Sequence, residues 1–233
     1  MIIYEGPSVL DGAPIVAILT GLDTQSDNDK TGAMLQLWIM RSDIAPHYAV
    51  TTGQDSSVCG SCVHRRGQGG DCYVIPFQAP LAVWNAYMRG NYPTMDTDEL
   101  HGLQIRFGAY GDPAAIPFDA LLPVLEVCDL DGSTGYTHQA WHKNFDPRVA
   151  LFCQVSVDSP AQAKKAHASG FKTFRVAGNA NLRFDNEIEC LSDSEGLSCA
   201  ECKLCNGQLQ NIVISAHGSK ASVVRQRDII ARA

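Results

Sequence analysis

The chain has 233 residues, 45% of them apolar, enough to bury one substantial core or two small ones. Its formal net charge of −7 tells against a general nucleic-acid binder, because such domains are usually basic. No apolar run approaches the roughly 20 residues that cross a bilayer, and the opening MIIYEGPSVLDGAPIVAILTG has no basic residue ahead of its apolar stretch. The expected setting is the cytosol, with no membrane partner and no signal peptide.

The first 30 residues read as an irregular or strand-rich lead-in. AMLQLWIM (33–40) is an apolar strand candidate, and AVTTG (49–53) is a second. Residues 54–77 are rich in Gly and Ser and read as a loop. A helix is expected over 79–89, with Pro80 in its first turn and Gly90 as its C-terminal cap. GLQIRFG (102–108) reads as a strand. The stretch 114–127 reads as a helix, with Ile116, Leu121, Leu122, Val124 and Leu125 on a broad apolar face. A short strand near 132–137 and a weak helix from His138 to Lys143 follow. VALFCQVSV (149–157) is unbroken and apolar, as strands buried on both faces are. Ser159, Pro160 and Gln162 have capping-box spacing for a helix that Gly170 stops. KTFRVA (172–177) and NIVISA (211–216) read as strands, and a basic helix ends the chain. Strand, helix, strand at this spacing implies parallel crossovers, hence an α/β fold, a partial (β/α) barrel of the TIM type with long cysteine-rich loops. A single domain over 1–233 is expected, with 1–30 as lead-in and 186–208 as a cysteine-rich loop.

Seven of the nine cysteines fall into two groups: Cys59, Cys62 and Cys72, then Cys190, Cys199, Cys202 and Cys205. Cytosolic thiols stay reduced, so an odd count points to metal ligation rather than disulfides. Cys59 and Cys62 make a C-x2-C turn, and Gly67, Gly69 and Gly70 let the chain fold back to bring Cys72 to them. Cys199, Cys202 and Cys205 have the C-x2-C-x2-C spacing of [4Fe–4S] ligation, with Cys190 near enough to be a fourth ligand. One cluster is the minimum and a second is possible on these counts. The alternative is a zinc-stapled structural or adaptor protein, its zinc held by Cys59 and Cys62 with two cysteines of the second group. Tyr73, Phe77, Trp84 and Tyr87 would then supply an aromatic surface. Cys128 and Cys153 sit alone in apolar segments and read as small buried hydrophobes. His64 and His217 are candidate ligands or polar neighbours of the site, and Arg65, Arg66 and the basic tail (Lys220, Arg225, Arg227, Arg232) read as solvated surface charge.

DKTGAMLQLWIM, VCGSCVHR with DCY, RFGAYGDPAAIP, STGYTH and SAHGS together resemble a group of cysteine-rich phage proteins, over most of residues 29–220. That group in turn resembles radical S-adenosylmethionine enzymes. The resemblance implies a partial barrel with a three-cysteine loop after an early strand, a cluster with one open iron, and S-adenosylmethionine as a possible further cofactor. It implies that Cys59, Cys62 and Cys72 hold that cluster. It implies that Gly111, Asp112 and Pro113 form the turn that holds the methionine amino group, and that Asp158 and Ser159 follow a strand leading into the cavity. The second cysteine group would correspond to an auxiliary cluster, and the host cytoplasm would be the location. The chain departs from the enzymes' pattern in its C-x2-C-x9-C spacing, in Asp71 rather than an aromatic residue ahead of Cys72, and in Asp112 in place of Glu. Arg106, Asp112, Tyr136 and His138, each at or just past an expected strand, are candidates to line such a cavity. A redox partner or a small-molecule substrate would complete the function.

Overall fold

The lead-in folds as a hairpin. β1 (Ile2–Pro7) and β2 (Pro14–Thr20) pair antiparallel, and β2 is buried from Ile15 to Leu19 because β3 (Leu35–Arg41) flanks it on its other edge. The structure is a computed structural model that describes residues 1–24, 28–179, 183–184, 186–216 and 224. From β3 onward every neighbouring pair is parallel. α1 (Pro46–Thr52), α2 (Ser56–Cys59) and α3 (Ala79–Met88) lead from β3 to β4 (Ile105–Tyr110). α4 (Phe118–Leu125) leads to β5 (Thr134–Thr137), and a 3-10 turn over Pro147–Leu151 leads to β6 (Gln154–Ser156). α5 (Pro160–Ala168) leads to β7 (Thr173–Ala177). β8 (Glu187–Glu189), α6 (Leu191–Ser194), α7 (Cys199–Cys202) and β9 (Asn211–Ser215) complete the described elements. The sheet runs β1-β2-β3-β4-β5-β6-β7-β9-β8, nine strands in an open, mostly parallel, α/β arrangement.

Burial explains the strand choices. Ile15, Ile18, Leu37, Ile39, Ile105 and Phe107 are all but sealed from solvent. Each contributes about 1.5–3 kcal/mol of transfer free energy. α4 packs Leu121 and Val124 into the same core, and Phe152 stacks on Phe107 with ring centroids 4.7 Å apart.

The structure departs from the sequence expectations in several places, and short helices α2, α6 and α7 interrupt the two segments expected as loops. AVTTG is helical, not extended: Pro46 starts α1, Gly53 closes it at φ 76°, and the Thr51 and Thr52 hydroxyls donate to the Tyr48 carbonyl. Only Gln154–Ser156 of VALFCQVSV is strand; Asp146 caps the 3-10 turn before it by accepting from the Arg148 N–H. Residues 138–143 form turns rather than a helix. β8 was not expected, because Glu187–Glu189 carries charge at both ends. One of those charges, Glu187, is buried against Arg175 of β7. The expected basic terminal helix, with Lys220, Arg225, Arg227 and Arg232, lies outside the described residues, as does His217.

Candidate functional site

A cavity of about 280 Å³ lies against the inner face of the parallel strands. Arg106, Gly108 and Tyr110 of β4 border it, with Thr134 and Tyr136 of β5, Ser156 of β6, Phe174 and Val176 of β7, and Ile214 of β9. On β5 and β7 these alternate, as residues on one face of a sheet must; on β4 Ala109 lines the cavity too, where the pairing with β3 shifts register and Gly108 sits at φ 82°. Two cysteine loops close on this space, and Cys59, Cys62, Cys72 and Cys199 all line it.

The first loop is built by close backbone packing. Cys59 ends α2, the Cys62 N–H donates to the Cys59 carbonyl (3.1 Å), and the Cys72 N–H donates back to His64 O (2.8 Å). The return needs glycine: a Cβ at Gly70 would lie 2.3 Å from the His64 carbonyl carbon, and one at Gly67 2.0 Å from Val50 O. Arg65, buried, binds the Asp55 carboxylate at 2.5 Å and the Gly60 and Gly53 carbonyls at 3.1 and 2.6 Å. Gln139, fully buried beyond β5, donates to Cys59 O (2.9 Å) and accepts from the Ser61 N–H (3.2 Å).

The three thiols are close enough to act on one another. Burial raises the Cys59 pKa far above the usual thiol range, and charge on Cys62 and Cys72 raises it further. Burial likewise raises Cys62 and Cys72, opposed by the His64 N–H donating to the Cys62 sulfur and the Val74 N–H donating to the Cys72 sulfur. Backbone N–H groups two residues ahead thus point at both sulfurs, the arrangement that stabilises thiolate around a cation. Tyr110, from the end of β4, is buried beside them, and its hydroxyl finds no hydrogen-bond partner among the described residues.

The second group assembles by the starts of the strands. α7 presents Cys199 and Cys202 on one turn that is capped at both ends: Ser198 and Glu201 form a capping box, and Lys203 sits at φ 59°. The Gly135 N–H donates to Cys205 O (3.2 Å), and the Tyr136 hydroxyl donates to the Cys205 sulfur. Burial raises Cys205, as does the charge of Cys190, Cys199 and Cys202. Cys190 receives the backbone N–H groups of Ser192 and Asp193. Arg106 lies between the groups: its guanidinium donates to the Tyr73 hydroxyl, next to Cys72, and its charge acts on Cys199.

The turn at the end of β4 is a structural joint. Gly111 has φ 80°, and a Cβ there would lie 2.4 Å from Ile39 O. Asp112 accepts from the Ala114 N–H (3.0 Å) and from the His138 N–H (2.8 Å), tying β4 to β5. Burial raises its carboxyl to about 6. Pro113 is buried and opens a 3-10 turn. Gly111 and Asp112 line the cavity, as do Arg106, Tyr136 and His138. Trp84 and Tyr87 are partly buried against the main core, and Tyr73 and Phe77 are exposed. Cys153 is buried beneath Gly135, and Cys128 is partly buried against the core; neither lines the cavity.

His64, His138 and Asp158, each singled out in the sequence, meet in the cavity lining. His64 Nδ1 lies 2.7 Å from Asp71 Oδ1 and its Nε2 lies 3.1 Å from Asp158 Oδ1, while His138 Nε2 lies 3.9 Å from Asp158 Oδ2. Burial alone would lower the His64 pKa, but the hydrogen bonds and charges of Asp158 and Asp71 outweigh it and raise it to about 9. Among the described residues, one set of three ligand-type side chains has its ligating atoms all within 4.8 Å of one another: His64, His138 and Asp158. The cysteine sulfurs form no such set. No helix among the described residues is long and apolar enough to cross a membrane. Comparison with protein-family models, with curated proteins and with solved structures gives no match.

Proposed function

We propose that this protein carries iron–sulfur clusters on a partial (β/α) barrel and uses them in redox chemistry of the radical S-adenosylmethionine kind. The observation that carries the reading is the convergence of Cys59, Cys62, Cys72 and Cys199, from loops more than a hundred residues apart, onto one buried cavity. Strands β3 to β7 lie side by side in chain order, which supports the barrel-like winding. Their concave face would hold the reacting molecule. The local chemistry fits a cluster. Backbone N–H groups aim at Cys62, Cys72 and Cys190, and a buried Tyr110 hydroxyl without a partner among the described residues suits a sulfide acceptor. Buried thiols that raise each other's pKa become thiolates only beside strong positive charge.

The C-x2-C-x2-C spacing of Cys199, Cys202 and Cys205 supports a cluster over the zinc alternative, because a tetrahedral zinc site usually takes its ligands in separated pairs. The bound cluster would supply electrons, and one left with three protein ligands would offer an open iron to the cavity. Tyr73 and Arg106 would bind and orient a guest. Asp112, its oxygens taken by backbone N–H groups, would set the position of the strand ends rather than contact a guest amine.

The test is iron and acid-labile sulfide content with visible absorption and electron paramagnetic resonance on protein purified without oxygen. At least four irons and four sulfides per chain are expected. Zinc alone, or no metal, would end the iron–sulfur reading. Cleavage of S-adenosylmethionine by the reduced protein checks the radical chemistry separately, and its absence would leave an electron-transfer protein.

A further inference from the structure

We propose that His64, His138 and Asp158 form a separate metal site that holds one divalent transition-metal ion at the mouth of the cavity. One ligand atom from each lies within 4.8 Å of the other two, so a single ion can touch all three with small side-chain adjustment. The three come from three places: the first cysteine loop, the turn after β5 and the three-residue link, 157–159, that joins β6 to α5. Each is held in place by a further contact. His64 Nδ1 pairs with Asp71 at 2.7 Å, which leaves Nε2 facing Asp158 and is the carboxylate–histidine–metal arrangement that fixes ring orientation. The His138 backbone N–H is anchored on Asp112 at 2.8 Å. The Asp158 backbone N–H is anchored on Gln162 Oε1 at 2.6 Å, so α5 itself sets the carboxylate's position.

Two imidazoles and one carboxylate bind on one side of an ion and leave its other positions open, a donor set typical of mononuclear iron(II). His64, His138 and Asp158 all line the cavity. Asp71, Asp112 and Asp158 line the cavity here, and a dication entering between His64 and Asp158 displaces the His64 Nε2 proton to water while the Nδ1–H stays on Asp71. These nitrogen and oxygen donors are harder than thiolates, so the site selects different ions from the cysteine groups and can fill without them. The ion would orient an oxygen- or nitrogen-bearing ligand in the cavity.

Manganese(II) is the probe, because it binds nitrogen and oxygen donors and avoids thiolates. Full-length protein is titrated without oxygen, and the loss of the free-ion paramagnetic resonance signal counts bound ions. One tight ion per chain is expected. His138→Gln and Asp158→Asn should each weaken it more than tenfold, Asp71→Asn by about 10–100-fold through the lost ring anchor, and Arg148→Ala, exposed and outside the cavity lining, should leave it within about twofold. Circular dichroism of each variant establishes that the fold is kept. No bound manganese in the parent protein would overturn the proposal. So would affinity unchanged in both folded His138→Gln and Asp158→Asn proteins.

Discussion

Gln139 carries the first cysteine loop on a single amide. Its Nε2 holds the Cys59 carbonyl and its Oε1 holds the Ser61 N–H, from a side chain that is itself fully buried. Gln139→Ala removes both bonds, and a loss of about 1 kcal/mol is expected in urea unfolding, with a parallel drop in any metal the first group retains if it binds metal as proposed. Arg65 is the second clamp. Arg65→Leu leaves the Asp55 carboxylate buried and alone, with a cost of about 3–5 kcal/mol by the same measurement. Tyr110→Phe has the opposite sign in metal-free protein. It removes a buried hydroxyl that meets no partner among the described residues, so metal-free stability should hold or rise by up to about 1 kcal/mol. If the first cysteine group holds a cluster as proposed, the loaded protein should lose a hydrogen bond to it and show a lowered potential in a redox titration. The cysteines were legible because seven thiols at tight spacings form a pattern. Gln139, Asp71 and Asp158 were not legible as a working set, since a lone polar residue in a loop acquires its role only when strands bring distant turns together.

Elements were legible where capping and apolar runs agreed. Pro80 and Gly90 bracket α3 as expected, and the Ser159 hydroxyl accepts from the Gln162 N–H at the head of α5. The Gln162 side chain, however, bonds the Asp158 N–H, one residue ahead of a standard capping box. Short segments misled where composition and capping disagreed. β-branched Val50, Thr51 and Thr52 suggested a strand, yet Pro46 and Gly53 framed a helix. At this scale the sharpest test is Gly135 in β5. A Cβ there would lie 2.4 Å from Cys153 Sγ and 3.1 Å from Phe107 Cβ. Gly135→Ala should therefore cost about 1–3 kcal/mol in thermal unfolding, and Cys153→Ala in the same chain should return part of it.

For the whole molecule, strand direction was legible and strand order was not. Alternation of strand and helix implied parallel crossovers, which β3 to β7 follow. Nothing in Glu187–Glu189 shows that β8 pairs outside β9, since its position depends on partners that come later in the chain. If the cysteine groups bind metal as proposed, chelation should lower the melting temperature by several degrees. Cys62→Ser and Cys202→Ser should each remove part of the visible absorption, and together all of it.

β9 slots between β7 and β8, although β8 is made first. During synthesis the Cys190–Cys205 segment therefore emerges with both of its flanking strands unmoored: β8 has no edge to join until β9 has taken its place against β7. The last described strand acts as a keystone. A chain cut short before Asn211 should lose not one strand but two, together with the seat of the second cysteine group. Limited proteolysis of such a fragment should release everything beyond β7 while sparing the earlier half of the sheet.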